Sequence, residues 1–213
     1  MNTFFKHKAL RALGWFGIAL IAVYFMVVTF RAIYFVERDK TEAVVSRAHS
    51  SRITLDDVLG KNLPPNPGRE AEKTVAGIDA NLNGVRDDVE LAIFKKYPRS
   101  ARTRAPLLQY AFNFQAETIQ PFLNMEIVTE IVERQFRADI CLSDSLVPRD
   151  TPESSRTDEQ TAEIAKYQNF IKDLQFNTSA RKQAHEDFLV GRLGSFGQTP
   201  GPACDINSLT LPD

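Results

Sequence analysis

Twelve consecutive residues carry the clearest chemistry in this chain: Asp79-Ala80-Asn81-Leu82-Asn83-Gly84-Val85-Arg86-Asp87-Asp88-Val89-Glu90. Oxygen-bearing side chains fall in the pattern D-x-N-x-N-G-x-x-D-x-x-E. The short side chains of Asp79, Asn81 and Asn83, at alternate positions, aim their oxygens at one centre. Gly84 permits a sharp turn, and Val85 adds its backbone carbonyl. Asp87 can bind directly or through water. Glu90 reaches back from the first turn of a following helix and can use both carboxylate oxygens. A set of hard oxygen donors converging in this way suits Ca2+, which takes six to eight oxygens. The competing reading is an Asx-rich turn that caps a helix, because Asp87 and Asp88 favour a helix start even without metal. Agreement at all six liganding positions favours calcium.

The run resembles an EF-hand loop with two departures. Position 8 is Arg86, where paired EF-hands place an apolar residue that bridges two loops, and the chain holds only one such loop. The upstream segment leaves room for a short entering helix at most, around Glu70 to Gly77, so an opening switch of the calmodulin type is disfavoured. The loop is more similar to the single loops of thrombospondin type 3 repeats. Pro64-Pro65-Asn66-Pro67-Gly68, Gly77-Ile78-Asp79 and the run to Glu90 together resemble uncharacterised envelope proteins of Gram-negative bacteria, over about residues 64–97. That resemblance implies calcium binding and an envelope location, and it brings no known activity. By analogy with extracellular modules, a dissociation constant of about 10⁻⁴–10⁻³ M is expected.

The loop must be held by helices. Thr54-Leu55-Asp56-Asp57 matches a capping box for a short helix ending at Gly60. Prolines 64, 65 and 67 with Gly68 then forbid regular structure. Val89, Ile93 and Phe94 form a stripe ending near Tyr97-Pro98. Pro106 is expected in the first turn of the next helix, which runs through Leu107, Leu108, Ala111, Phe112, Gln115 and Ile119. Pro121 either kinks that helix or opens another. The strongest stripe is Phe122, Met125, Val128, Ile131, Val132, Phe136 and Ile140. Residues 144–160 read as an exposed loop. Ile164, Tyr167, Ile171 and Leu174 form a further seam, Asn177-Thr178 caps a last helix through Leu189, and the tail from Gly191 has neither helix nor strand. Phe114 and Phe170 fall off the main faces. No strand pattern of useful length occurs, so the fold class is all-α, a small helical bundle.

The charge balance divides the chain. Of 26 basic and 27 acidic residues, the first 36 positions hold four basic ones and no acid, with nine of the 21 aromatics. From Glu37 onward the chain is net acidic, which disfavours nucleic acid as a partner. Ala12 to Phe30 gives 19 residues without charge, about 28 Å as a helix and close to the hydrocarbon thickness of a bilayer. Trp15, Phe16, Tyr34 and Phe35 suit the two interfaces. A cleaved signal peptide would have a shorter apolar core and a small-residue cleavage site, whereas bulky residues follow here; a buried core helix is the bland alternative. The expected organisation is a cytoplasmic N-terminus (1–11), a transmembrane anchor (12–36), a stalk and short helix (37–63), and an extracytoplasmic helical domain (64–213).

Lys6, Lys8 and Arg11 on one side of the span face Arg31, Arg38, Lys40, Arg47 and Arg52 on the other, so charge does not decide orientation. The two cysteines bear on it. A Cys141–Cys204 disulfide would pin the irregular tail to the bundle; two unrelated thiols are the alternative. An extracellular-type calcium loop and a disulfide both require an oxidising, calcium-rich side. The expected topology is therefore single-pass in the inner membrane, N-terminus in, C-terminal domain periplasmic. Of the histidines, His7 lies at the membrane edge, His49 on the stalk, and His185 has no second ligand at helical spacing and reads as a surface residue.

No G-x-S-x-G, Walker A or dinucleotide motif occurs. The sequence points to a non-enzymatic calcium-binding protein with a structural or accessory role and a protein partner. A periplasmic inhibitor or immunity protein, or a subunit of a membrane complex, is the alternative. A carboxylate-dependent hydrolase of envelope polymers ranks third.

Overall fold

The computed structural model describes residues 14–32, 34–36, 38, 52–119, 125–151, 153–189 and 201–213. It divides into two units, one up to Val44 and one from Val45 onward. The first holds helix α1 (Gly14–Val36), 23 residues with a mean hydropathy of 2.2. At 1.5 Å per residue it is about 34 Å long, long and apolar enough to cross a membrane. Its apolar side chains, Trp15 and Phe30 among them, are exposed along its length. Of the expected stalk, 37–50, all but Arg38 lies outside the described residues.

The second unit is all-helical among its described residues: α2 (Leu55–Leu59), a 3₁₀ turn (Gly68–Glu72), α3 (Asp87–Lys96), α4 (Ala101–Ile119), α5 (Met125–Leu146), α6 (Asp158–Gln175), α7 (Ser179–Leu189) and a 3₁₀ turn (Ser208–Thr210). Local sequence sets several of these ends. Thr54 and Asp57 close the expected capping box, and Gly60 ends α2 at φ 73°. Thr157 and Gln160 form a second box at the start of α6. Thr178 caps α7 by accepting from the Arg181 N–H. The expected helix around 70–77 is only the 3₁₀ turn at Gly68–Glu72.

Helix α4 is the axis of the domain. It is buried on nearly every side and packs against α2, α3, α5, α6, α7 and the C-terminal tail. It starts earlier than Pro106 suggests: the Ser100 hydroxyl accepts from the Thr103 N–H at 3.1 Å. That cap begins the helix one turn upstream and leaves Pro106 inside it.

Helix α5 also differs from expectation. Ile127, Val128, Ile131, Ala138 and Leu142 are buried, while Met125 and Phe136 are about half exposed. Burial follows the line of contact with α4 and not the largest side chains. The helix continues past Cys141 to Leu146, and α6 already begins at Asp158, so the exposed loop is shorter than 144–160. Phe122 and Pro121 lie outside the described residues. The seam of α6 is as expected, with Ile164 and Ile171 buried and Tyr167 and Leu174 packed against the core. Phe114 belongs to that core, edge-on to Tyr110 at 4.8 Å and to Phe176 at 5.2 Å. Phe170 meets Tyr97 edge-on, with the Lys96 ammonium 3.7 Å above its ring.

Cys141 and Cys204 are joined in a disulfide that ties the tail to α5. Polar contacts hold the same segment. Gln109 donates to the Ala203 carbonyl at 2.8 Å and accepts from the Asp205 N–H at 2.9 Å. Arg137 donates to the Pro202 carbonyl at 2.8 Å. The tail contains a 3₁₀ turn, where the sequence suggests none.

Candidate calcium site

The 79–90 run folds as a tight loop closed by its own carboxylates. Asp79 accepts from the Asn83 N–H (3.1 Å) and from the Gly84 N–H (2.9 Å). Asn83 accepts from the Val85 N–H at 2.8 Å. Asp87, the first residue of α3, reaches back to accept from the Ala80 N–H at 3.0 Å, and its own N–H donates to the Ile78 carbonyl at 2.8 Å. Gly84 makes the turn at φ 83°, and a Cβ there would run into the Phe112 ring. Glycine is thus required twice, for conformation and for the close approach of α4.

Two of the loop's four acids, Asp87 and Glu90, are buried, and Asp79 and Asp88 are half-buried. Val85, Asp87 and Glu90 are each 1% exposed or less. Asn81 donates to Glu90 Oε2 at 3.0 Å and to the Asn62 carbonyl at 2.9 Å, linking the loop to the segment after α2. Asp87 Oδ2 and Glu90 Oε1 are buried with no hydrogen-bond partner. Burial raises the Glu90 carboxyl to about 7, opposed by the amides of Asn81 and Asn83 and reinforced by the charges of Asp57 and Asp87. Burial likewise raises Asp87, with the charges of Asp79 and Asp88 adding to it. An unpaired buried carboxylate oxygen is expensive unless a donor or a cation meets it.

Arg86, the cation within the loop, does not meet these acids. Its guanidinium is fully buried and turned away, forked onto Asp88 at 2.5 Å and 3.0 Å. It also donates to the carbonyls of Leu174 (2.6 Å) and Gln175 (3.3 Å) at the C-terminal end of α6. Position 8 therefore docks the loop onto α6 within the same domain, where an apolar residue would serve a second loop. Arg181 on α7 is also fully buried. It donates to the carbonyls of Ala71, Thr74 (3.1 Å) and Val75 (3.0 Å) and fixes the strand-free approach to the loop. Arg104 does the same for Val58, Tyr97 and Pro98 and lies under the Phe94 ring. The sequence presents Arg104 and Arg181 as ordinary arginines. Only Arg86 stands out there, as a departure at position 8.

The donor types fit calcium. The 79–90 run carries Asp79, Asn81, Asn83, the Val85 carbonyl, Asp87 and Glu90, and two of its carboxylate oxygens, Asp87 Oδ2 and Glu90 Oε1, are buried and unpaired. Among the described residues no group of three or more His, Cys, Asp or Glu side chains stands close enough to share a metal. Half of the expected donors here are amides and a carbonyl, which suits a hard cation and not zinc.

Elsewhere His185 differs from the expected surface residue. Its Nδ1 lies 2.9 Å from the buried Glu117 carboxylate, and its ring stacks on Phe176 at 4.2 Å. Burial raises the Glu117 carboxyl, and His185 and Lys172 oppose that shift. The pair borders a cleft of about 340 Å3 whose lining includes Tyr110, Phe114, Gln135, Phe136 and Lys172. His7 and His49 lie outside the described residues. Comparison of the chain with protein-family models, curated proteins and solved structures finds no match.

Proposed function

We propose that the protein is a membrane-anchored calcium-binding protein of the cell envelope whose ion has a structural role. The observation that carries this is the pair of buried, unpartnered carboxylate oxygens, Asp87 Oδ2 and Glu90 Oε1, within a run that supplies oxygens at every expected position. Asp79, Asn81, Asn83, the Val85 carbonyl, Asp87 and Glu90 would hold the ion. Bound calcium supplies two positive charges where the loop's own arginine is directed elsewhere.

The loop stands where the segment after α2, helix α3 and the end of α6 meet, through Asn81–Asn62 and Arg86–Leu174. An ion held there would fix these three elements against one another and so set the shape offered to a protein partner. Helix α1 supports anchorage in the inner membrane. The Cys141–Cys204 disulfide supports a periplasmic domain with the N-terminus in the cytoplasm, because disulfides persist on the oxidising side.

Titration of the full chain in detergent with calcium tests the reading. Saturable uptake of one ion at millimolar or lower calcium is expected. No uptake up to several millimolar would end it.

A further inference from the structure

The cleft beside His185 holds a second group of orphaned polar atoms, on residues far from the 79–90 loop. Glu117 is 3% exposed. Its Oε2 and Gln135 Oε1 are buried and make no hydrogen bond, and both side chains line this space of about 340 Å3. His185 Nδ1 comes within 2.9 Å of Glu117 Oε2 without making a hydrogen bond to it. Helical periodicity brings these groups together. Tyr110, Phe114 and Glu117 stand at i, i+4 and i+7 on α4, and Gln135 and Asp139 at i and i+4 on α5, so each helix turns one stripe to the cleft. Lys172 of α6 and His185 of α7 complete the wall. Acceptors shut away from water are costly until a donor reaches them.

We propose that this cleft binds a primary organic ammonium with an apolar body. Its N–H groups donate to Glu117 Oε2 and Gln135 Oε1, and its body lies along Tyr110, Phe114 and Phe136. Three observations choose this class. The orphaned atoms on Glu117 and Gln135 are acceptors, and an ammonium carries three donors and no acceptor. The lining holds two acids, Glu117 and Asp139, against one fixed cation, Lys172, a balance of −1 with His185 neutral. Phe136, half exposed at the rim, supplies apolar surface and a ring that attracts a cation. An organic anion would meet Lys172 and His185, but it would set its charge against both acids and leave the two acceptors unmet. None of these residues belongs to the 79–90 run, so the proposal stands apart from the calcium reading.

The test uses the full chain in detergent with its histidine rings labelled for NMR. The chain has three histidines, and the His185 resonance is the one missing from His185→Gln. Three probes of similar shape are titrated at pH 8, in chelator: 2-phenylethylammonium, neutral 2-phenylethanol and 3-phenylpropionate. The ammonium is expected to shift the His185 resonance saturably, with the His7 and His49 resonances as references for partition into detergent. The alcohol is expected to bind about tenfold more weakly and the carboxylate not at all. Glu117→Gln keeps the shape of the side chain and is expected to weaken the ammonium about tenfold; Phe136→Ala, at the exposed rim, about threefold. Circular dichroism checks that each variant folds, and the probe series decides the matter even if Glu117→Gln does not. Equal affinity for ammonium and alcohol, a preference for the carboxylate, or unchanged affinity in folded Glu117→Gln would each overturn the proposal. So would the absence of any His185 shift up to about 10 mM of every probe, which leaves the cleft to water.

Discussion

Glu90→Gln separates the cost of the buried acid from its use. In the metal-free domain Glu90 is fully buried, and burial holds its carboxyl near 7 against an ordinary value of 4.5. The folded state therefore binds the proton more tightly than the unfolded chain does. Its contribution to stability is fully present below pH 4.5 and is lost as pH rises through about 7. By linkage that loss is on the order of 3 kcal/mol at pH 8. A neutral glutamine removes it while still accepting from Asn81. The variant without calcium is then expected to be more stable than the parent at pH 8 and nearly equal to it at pH 4.5. For a domain of this size, about 3 kcal/mol corresponds to roughly 6–12 °C in Tm.

Calcium narrows the difference at pH 8 by about half without reversing it. If the dissociation constant lies near 0.5 mM, 5 mM calcium adds about 1.4 kcal/mol to the parent by mass action. It adds nothing to a variant that has lost its terminal ligand. The assay is thermal unfolding followed by circular dichroism from pH 4.5 to 8, in chelator and in 5 mM calcium. A variant that is less stable than the parent in chelator at pH 8, yet gains the same increment from calcium, would refute the reasoning.

Three further outcomes are expected. Arg86→Leu restores the apolar residue typical of paired loops but strands Asp88 and the carbonyls of Leu174 and Gln175; a loss of about 3 kcal/mol or more in denaturant unfolding is expected, and Arg86→Lys does not rescue it because the fork is lost. Cys204→Ser opens a disulfide spanning 63 residues, about 4 kcal/mol in the chain-entropy model, read as a lower Tm and as earlier proteolysis of the tail. Gly84→Ala forces a Cβ into the Phe112 ring at a positive φ and is expected to cost about 1–3 kcal/mol and to weaken calcium uptake in titration.

Much of this protein is written locally. The Thr54 cap, the α3 stripe, the α6 seam and the membrane-length α1 depend on neighbours within one or two turns, so they are visible in the order of residues. The same holds for the loop, whose oxygens lie at fixed separations within twelve positions. What the order of residues leaves open is burial, because that depends on which helix lies opposite. Phe136 stands in the strongest apolar stripe and is exposed; Phe114 falls off its stripe and is in the core. Pro106 looks like a helix start, but Ser100, six residues earlier, sets that start. His185 has no ligand at helical spacing and finds Glu117 on another helix. The buried arginines show the same limit most clearly. A guanidinium has five donors, and it can be buried only where several carbonyls or acids converge. For Arg86 and Arg181 most of those partners lie 88–89 and 106–110 residues away along the chain, so only the tertiary structure could turn surface-type residues into the fastenings of the 79–90 loop.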